Sequence, residues 1–155
     1  MKIHLIAVGS RMPAWVDQGY EEYARRTPPE CALRLTEIPS ARRGKATGIE
    51  RVLAEEFHRI QAAIPRDCYT VALDLGGTRW DTPTLARRLG DWMKQGRDLA
   101  LIVGGPDGLD ARCLESVDQR WSLSPLTLPH GLVRVVVAEQ LYRAWTILQG
   151  HPYHR

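Results

Sequence analysis

The chain is poor in cysteine, and the spacing of its cysteines excludes several classes of protein. The three cysteines, Cys31, Cys68 and Cys113, are odd in number and far apart. Disulfide-rich secreted domains carry paired cysteines, and zinc sites carry closely spaced ones. The sequence therefore predicts reduced, structural thiols in a cytoplasmic protein, with neither a disulfide framework nor a metal site.

Long hydrophobic runs are also missing. The apolar stretches fall well short of the roughly 20 residues that a transmembrane helix requires. The first stretch, MKIHLIAVGSRMP, has one lysine and a short apolar run, but no small-residue cleavage site follows it. This pattern favours a first strand over a signal peptide, and we expect no membrane partner.

Phosphate-binding signatures are absent from the place where they would be expected. Residues 99–109, LALIVGGPDGL, read as a buried strand followed by a glycine-rich turn. Glycines at the end of a strand let a ligand approach the backbone, and in nucleotide enzymes such turns usually hold phosphate. This turn has no lysine and no G-x-G-x-x-G pattern. We therefore expect its ligand to carry no phosphate.

The bulk composition is that of an ordinary globular protein with a mildly basic character. Its 155 residues are 44% hydrophobic and 25% charged, which predicts one domain over residues 1–155. The net charge of +3 permits a nucleic-acid partner without requiring one. Arg42, Arg43 and Lys45 lie within six residues in a glycine-containing loop. They are candidate phosphate contacts, and the alternative is a solvated charged loop.

The hydrophobic pattern alternates between strands and helices. Four strands are predicted, at residues 3–8, 31–38, 69–73 and 99–103. The predicted helices cover residues 15–26, about 47–63, about 82–95, a short segment near 110–118 and about 132–149. The second helix is expected to have Thr47 as its N-cap, with Glu50 completing a capping box, and the third to be capped by Asp81 or Thr82. Such alternation predicts an α/β fold with a mostly parallel sheet flanked by helices.

Three loops at the predicted strand ends share an unusual composition. In open α/β sheets, ligands bind beyond the carboxyl ends of the strands, and here those ends carry LDLGG, VGGPDG and LSPLTLP. These loops offer backbone groups and apolar walls but little charge. They suit a flat heterocycle with a small polar appendage. S-adenosylmethionine fits, because it has an adenine ring, no phosphate and a cationic sulfonium.

The same loops carry a resemblance that spans essentially the whole chain. The matching stretches are AVGSRMPAW at 7–15, Ile38-Pro39 with the basic loop, LDLGG at 73–77, WDTP at 80–83, GRDLALIVGGPDGL at 96–109, WSLSPLTLPH at 121–130, VRVVVAEQLYRAW at 133–145 and HPYHR at 151–155. In these stretches the chain closely resembles the RlmH family of ribosomal RNA methyltransferases, in the SPOUT (trefoil-knot) superfamily. The resemblance implies a SPOUT fold with a deep C-terminal trefoil knot. It also implies a homodimer that methylates N3 of a pseudouridine in 23S rRNA of the assembled ribosome.

The resemblance also implies which residues bind S-adenosylmethionine and which act on the RNA. The implied cofactor-binding residues are Leu73, Gly104, Leu123, Ser124, Pro125, Leu126, Thr127 and Leu128. The candidate catalytic residues are His130, Arg143, Tyr153, His154 and Arg155.

Each catalytic candidate has a functional and a structural interpretation. His130 could orient the uracil edge or relay a proton, or it could be a solvated histidine at a helix start. Arg143 lies four residues after Glu139, which is the spacing of a plain helical ion pair, but an arginine on a helix that is apolar on most sides indicates an interface and a functional role. The tail HPYHR would lie over the pocket, where Tyr153 could stack on the base and Arg155 could hold a phosphate or the developing anion. We hypothesise that the tail of one subunit completes the site of the other.

Two other functions remain open at this level. The chain could bind another adenine nucleotide, which binding of ATP or NAD in preference to S-adenosylmethionine would indicate. It could also be a non-catalytic ribosome-binding protein that has kept the fold. An intact pocket together with an intact HPYHR tail favours activity, since a pure binding module needs neither.

Overall fold

A computed structural model describes residues 1–44, 46 and 48–154. The strands are β1 (Ile3–Val8), β2 (Leu33–Ile38), β3 (Tyr69–Arg79), β4 (Leu99–Val103) and β5 (Gln119–Ser122). They form one sheet in the order β2-β1-β4-β3-β5. Every neighbouring pair in this sheet is parallel.

Helices cover both faces of the sheet. They are α1 (Ala14–Ala24), α2 (Ile49–Ala63), α3 (Thr82–Lys94), α4 (Ala111–Ser116) and α5 (His130–Leu148), with short 3-10 turns at Pro29–Cys31 and Pro152–His154. α5 packs between α1 and α3 on one face, and α2 and α4 contribute to a second core on the other. The predicted α/β fold with a parallel sheet flanked by helices is confirmed, while the knot stays a prediction.

The central strands are apolar on both sides because helices pack on both faces of the sheet. In β1, Leu5 faces the core beneath α1, α3 and α5, whereas Ile6 faces the core beneath α2. Leu101 and Ile102 of β4 divide in the same way. Successive side chains of a strand point to opposite faces, so a strand covered twice reads as a continuous apolar run.

The third strand is longer than its apolar run predicted. It continues past Leu73 to Arg79, with a break in register: Leu73 and Thr78 both pair with Trp121 of β5. Residues 74–77 therefore form an outward excursion rather than the end of the strand. Gly77 is required there, because a Cβ on it would lie 2.7 Å from the backbone nitrogen of Trp121.

Two of the predicted helix starts differ from the structure. α2 begins at Ile49 with Gly48 as its N-cap, so the predicted capping box from Thr47 to Glu50 is wrong; Thr47 itself lies outside the described residues. α5 begins at His130, two residues before the predicted start at Leu132. For α3 the prediction is confirmed, since the Asp81 carboxylate accepts the backbone N–H of Thr84 at 2.8 Å.

The three cysteines are free and buried. Burial is the main cause of their raised pKa values, which reach about 12 for Cys31 and about 11 for Cys113. Since the thiolate is the reactive form, these thiols are protonated and unreactive at neutral pH. This agrees with the predicted structural role. No described helix combines the length and apolar character needed to cross a membrane.

Candidate functional site

A cavity of about 690 Å³ lies between the register break of β3 and the carboxyl ends of β4 and β5. Three segments form its wall: residues 73–75, the glycine turn at 103–109 and the loop at 122–130. Val133 from the first turn of α5 closes one side. A volume of a few hundred Å³ suits a small organic ligand, and the carboxyl edge of a parallel sheet is the usual place for one.

Most of the residues that the sequence assigned to the cofactor are found in this wall. Pro125 is the exception: it is exposed and does not belong to the lining. The assigned residues that line the cavity are Leu73, Gly104, Leu123, Ser124, Leu126, Thr127 and Leu128. Their common location supports one ligand site, although their role in binding a cofactor stays a prediction.

Charge in the cavity wall is sparse and negative. Among the described lining residues, Asp74 and Asp107 are the carboxylates, and neither a lysine nor an arginine is present. The segment 122–128 folds on itself, since Ser124 Oγ accepts the backbone N–H of Leu126 at 2.9 Å and Ser122 Oγ donates to the carbonyl of Ser124 at 3.1 Å. Apolar walls with two carboxylates fit a cationic ligand with a flat ring and do not fit a polyphosphate.

Gly104 is required by the turn itself. A Cβ on Gly104 would lie 2.5 Å from the carbonyl oxygen of Gly108 and 3.0 Å from the Leu109 side chain. The Gly108 N–H donates to the Gly105 carbonyl at 3.0 Å and closes the turn. The absence of a side chain at Gly104 therefore sets the shape of the cavity wall, whichever ligand lies against it.

Replacing Gly104 with alanine is expected to open this turn and weaken binding of S-adenosylmethionine, the cofactor that the resemblance implies, by about tenfold or more. The reason is that the Gly108 carbonyl, a backbone group, must move to admit the Cβ. Isothermal titration with S-adenosylmethionine measures the change. Gly90→Ala in α3 is the control, since a Cβ there meets Leu148 at an ordinary 3.5 Å. Equal affinities for the two variants would contradict this account of the turn.

His130 is placed at the mouth of the cavity. It is the first residue of α5, is half-buried and belongs to the lining. Its imidazole lies beside the turn after β1, where a Cβ built on Gly9 would be 3.6 Å from its Cδ2. His130 is thus the candidate catalytic side chain that the structure brings to the cavity within a single chain.

Arg143 and the tail lie together at the other end of α5. The Arg143 Nε donates to Glu139 at 2.8 Å, and its guanidinium lies 5.0 Å from the centre of the Tyr153 ring. Tyr153 also packs on Tyr142, with ring centres 4.7 Å apart. Arg143 comes 13 residues after His130, which is about 20 Å along a helix that rises 1.5 Å per residue.

The tail is ordered by these contacts but does not line the cavity of its own chain. Tyr153 and His154 are half-buried, and neither belongs to the described lining. Burial, reinforced by Glu139, raises the pKa of the Tyr153 phenol. The hydrogen bond to Glu139 is the main cause of the raised pKa of Arg143. Tyr153 is therefore a neutral donor and Arg143 a cation at neutral pH. Arg155 lies outside the described residues.

The three predicted phosphate contacts in the basic loop, residues 40–45, differ in their surroundings. Arg42 is exposed. Arg43 forms an ion pair with Asp107 of the cavity wall, at 2.6 Å between Nη2 and Oδ2. Lys45 lies outside the described residues. The loop thus reaches the rim of the cavity through Arg43.

Sequence reasoning missed the most deeply buried charge. Arg134 of α5 has no exposed surface, and it donates to the Glu37 carboxylate at 2.7 Å and to the Gly9 carbonyl at 2.9 Å. It lies one helical turn after His130 and holds the β1–α1 turn beside that residue. The available signal was an arginine inside an apolar helical run. The same signal at Arg143 was interpreted as functional, and Arg134 was not singled out.

Metal ligands do not cluster in the part of the chain that the structure describes. Within residues 1–44, 46 and 48–154, no group of three or more His, Cys, Asp or Glu side chains is arranged to hold an ion.

Comparison with solved structures supports the fold. A structure of a probable methylase family protein from Haemophilus influenzae matches with a TM-score of 0.59 at 12% identity. The match covers 99% of this chain and 70% of the other. At this identity the likeness concerns the arrangement of helices and strands alone.

Comparison at the level of sequence is closer. The chain is 59% identical to a ribosomal RNA large subunit methyltransferase H from Thioalkalivibrio sulfidiphilus, over 100% of this chain and 99% of the relative. It is 55% identical to a protein of the same name from Methylococcus capsulatus, over the full length of both. A family model described as "Predicted SPOUT methyltransferase" matches residues 1–154. The chain therefore belongs to the SPOUT methyltransferases and, among them, to the family of the ribosomal RNA large subunit methyltransferases H.

Proposed function

We propose that this chain is an S-adenosylmethionine-dependent methyltransferase that acts on N3 of a pseudouridine in 23S rRNA of the assembled ribosome. It works as a homodimer in the cytoplasm. The observation that carries the proposal is the cavity itself: a space of about 690 Å³ with apolar walls and carboxylates but no described lysine or arginine. The full-length relatives named as ribosomal RNA methyltransferases supply the substrate class.

The residues present fit S-adenosylmethionine as the methyl donor. When bound, this cofactor supplies an electrophilic methyl group on a sulfonium whose positive charge disappears on transfer. Backbone groups of the 122–128 loop and the glycine turn can hydrogen-bond an adenine edge. Asp74 gives the cavity a negative charge that favours a cationic donor over ATP or NAD, and Asp107 adds to it when its pair with Arg43 is broken.

His130, Arg143 and Arg155 are the residues proposed to handle the proton of the substrate and to stabilise its negative charge. The N3 imide of a uracil ring is a poor nucleophile until it loses its proton, and the resulting anion is spread over two carbonyl oxygens. A nearby imidazolium or guanidinium lowers the barrier by a few kcal/mol in a site from which water is excluded. His130 at the cavity mouth is placed to orient the uracil edge.

The separation of the tail from the cavity supports a site that is shared between two subunits. Tyr153 packs on Arg143, which lies about 20 Å along α5 from His130, so a role over the pocket requires a second copy of the chain. Leu132 and Val136 are half-buried on α5, and Trp15 on the adjoining α1 is 55% exposed. Partly exposed apolar side chains of this kind suit a dimer interface. We therefore assign the tail to the partner's site.

Transfer of labelled methyl groups tests the proposed function. The wild-type protein is incubated with methyl-labelled S-adenosylmethionine and ribosomes that lack the modification. We expect label in 23S rRNA, approaching one methyl group per ribosome. Binding of S-adenosylmethionine without any label in RNA would favour a non-catalytic ribosome-binding protein. Binding of ATP or NAD in preference to S-adenosylmethionine would favour an adenine-nucleotide binder.

The basic loop is expected to contact rRNA phosphates. Replacing Arg42, Arg43 and Lys45 together with glutamine should weaken ribosome binding and flatten its dependence on salt. Each lost phosphate contact lowers the slope of log K against log salt by about 0.7 to 0.9. Binding measured between low and moderate salt gives this slope. An unchanged slope would show that the loop is merely solvated.

A further inference from the structure

An ion pair joins the basic loop to the glycine turn beside the cavity, and a buried carboxylate lies beneath them. At the surface, Arg43 Nη2 lies 2.6 Å from Asp107 Oδ2. Beneath them Glu56 of α2, which is 2% exposed, accepts the backbone N–H of Ala41 at 3.0 Å. A Cβ on Gly105 would lie 3.8 Å from the other oxygen of the same carboxylate. A ligand that displaces either loop therefore acts on the other.

The Arg43–Asp107 pair stands between two ligands of opposite charge. Asp107 lines the cavity proposed for a donor that carries a sulfonium and an ammonium group. Arg43 belongs to the loop proposed for rRNA phosphates. The two side chains remain 43% and 23% exposed. Ion pairs as exposed as this one contribute little to stability, so either ligand can replace its partner at small cost.

We propose that Arg43 and Asp107 form an exchange pair that couples binding of the donor to binding of rRNA. The cationic donor forms an ion pair with Asp107, and an rRNA phosphate forms one with Arg43. This inference rests on the proposed function. The ligand that binds first breaks the ion pair between Arg43 and Asp107. The second ligand then binds a side chain that has already lost its partner. By linkage, each ligand must raise the affinity for the other by the same factor.

The pair also distinguishes the donor from its demethylated product. The product keeps the ammonium group but has lost the sulfonium charge, so it competes less well with Arg43 for Asp107. Coupling to rRNA is then weaker after methyl transfer than before it. The ion pair can form again, which favours release of product and RNA.

Equilibrium binding of S-adenosylmethionine, with and without ribosomes that lack the modification, tests the exchange. For the wild-type protein we expect ribosomes to raise donor affinity about two- to fivefold, since the coupling cannot exceed the free energy of the ion pair, with a smaller effect on S-adenosylhomocysteine. Arg43→Gln should bind the donor several-fold more tightly without ribosomes, because Asp107 is released. That gain should vanish in the double variant with Asp107→Asn, as a double-mutant cycle requires for two interacting residues.

Arg42→Gln is the matched control, because it removes the same charge from the same loop. It should weaken ribosome binding and leave donor affinity unchanged. Unchanged donor affinity in Arg43→Gln, or full coupling in Asp107→Asn, would overturn the exchange. If wild-type protein labels 23S rRNA while Arg43→Gln shows no gain, the exchange alone is wrong. If wild-type protein transfers no label, the proposed function fails.

Discussion

Deleting Tyr153–Arg155 should reduce methyl transfer by two orders of magnitude or more while donor affinity stays within about twofold. Transfer and donor binding are expected to respond differently because the tail and the cavity are separated within one chain. The cavity wall that is proposed to hold the donor contains no described tail residue, whereas Tyr153 lies at the far end of α5 in its own chain. A tail that reaches the partner's substrate would affect transfer and not donor binding.

Two measurements on the same preparation separate these effects. Isothermal titration gives donor affinity, and incorporation of label into ribosomes gives the transfer rate. Tyr153→Phe is the matched control, because it keeps the ring that packs on Tyr142 and removes only the hydroxyl, which lies 3.4 Å from Glu139. Equal loss of donor binding and of transfer in the deletion would contradict the assignment of donor binding to the cavity and of methyl transfer to the tail.

Replacing Arg134 with methionine should lower the free energy of unfolding by about 3 kcal/mol. The guanidinium has no exposed surface, and its removal leaves the Gly9 carbonyl without its donor and Glu37 without its cation. Glu37 is 38% exposed, so water compensates part of this loss. For a chain of this length the midpoint of thermal unfolding should fall by about 6 to 12 °C.

Arg143→Met on the same helix is the control for this stability effect. It also breaks an arginine–glutamate pair, but Arg143 is about one-third exposed, so the cost should stay below about 1 kcal/mol. Thermal or urea unfolding of both variants provides the comparison. Equal destabilisation by the two substitutions would show that burial does not distinguish the two arginines. The Arg134 variant should also disturb the β1–α1 turn beside His130.

The strands of the sheet were predictable in proportion to their burial. β1 and β4 are covered on both faces, so β4 is an unbroken apolar run, β1 is interrupted only by His4, and both have the predicted bounds. β5 has the sequence QRWS and was missed, because a four-residue edge strand with one large apolar side chain is too short to show a hydrophobic period. The excursion at 74–77 was interpreted as a loop, since its register break depends on pairing with β5.

The sequence predicted the parts of the candidate site that show in the composition of a loop. It did not predict contacts between side chains that are far apart in the chain. The loops around Gly104 and residues 123–128 identified the cavity wall, because their lack of lysine and arginine is visible in the sequence. The ion pairs of Arg43 with Asp107 and of Arg134 with Glu37 join segments far apart in the chain. Sequence spacing holds no information about such contacts.

Mapping the methylated nucleotide tests the central claim most directly. A methyl group on N3 of a pseudouridine blocks its base-pairing edge, so reverse transcription of the treated rRNA should stop one nucleotide before it. We expect one such stop in 23S rRNA, formed only when the protein, S-adenosylmethionine and the assembled ribosome are all present. A stop at no position, or label confined to a nucleotide other than a pseudouridine, would contradict the account.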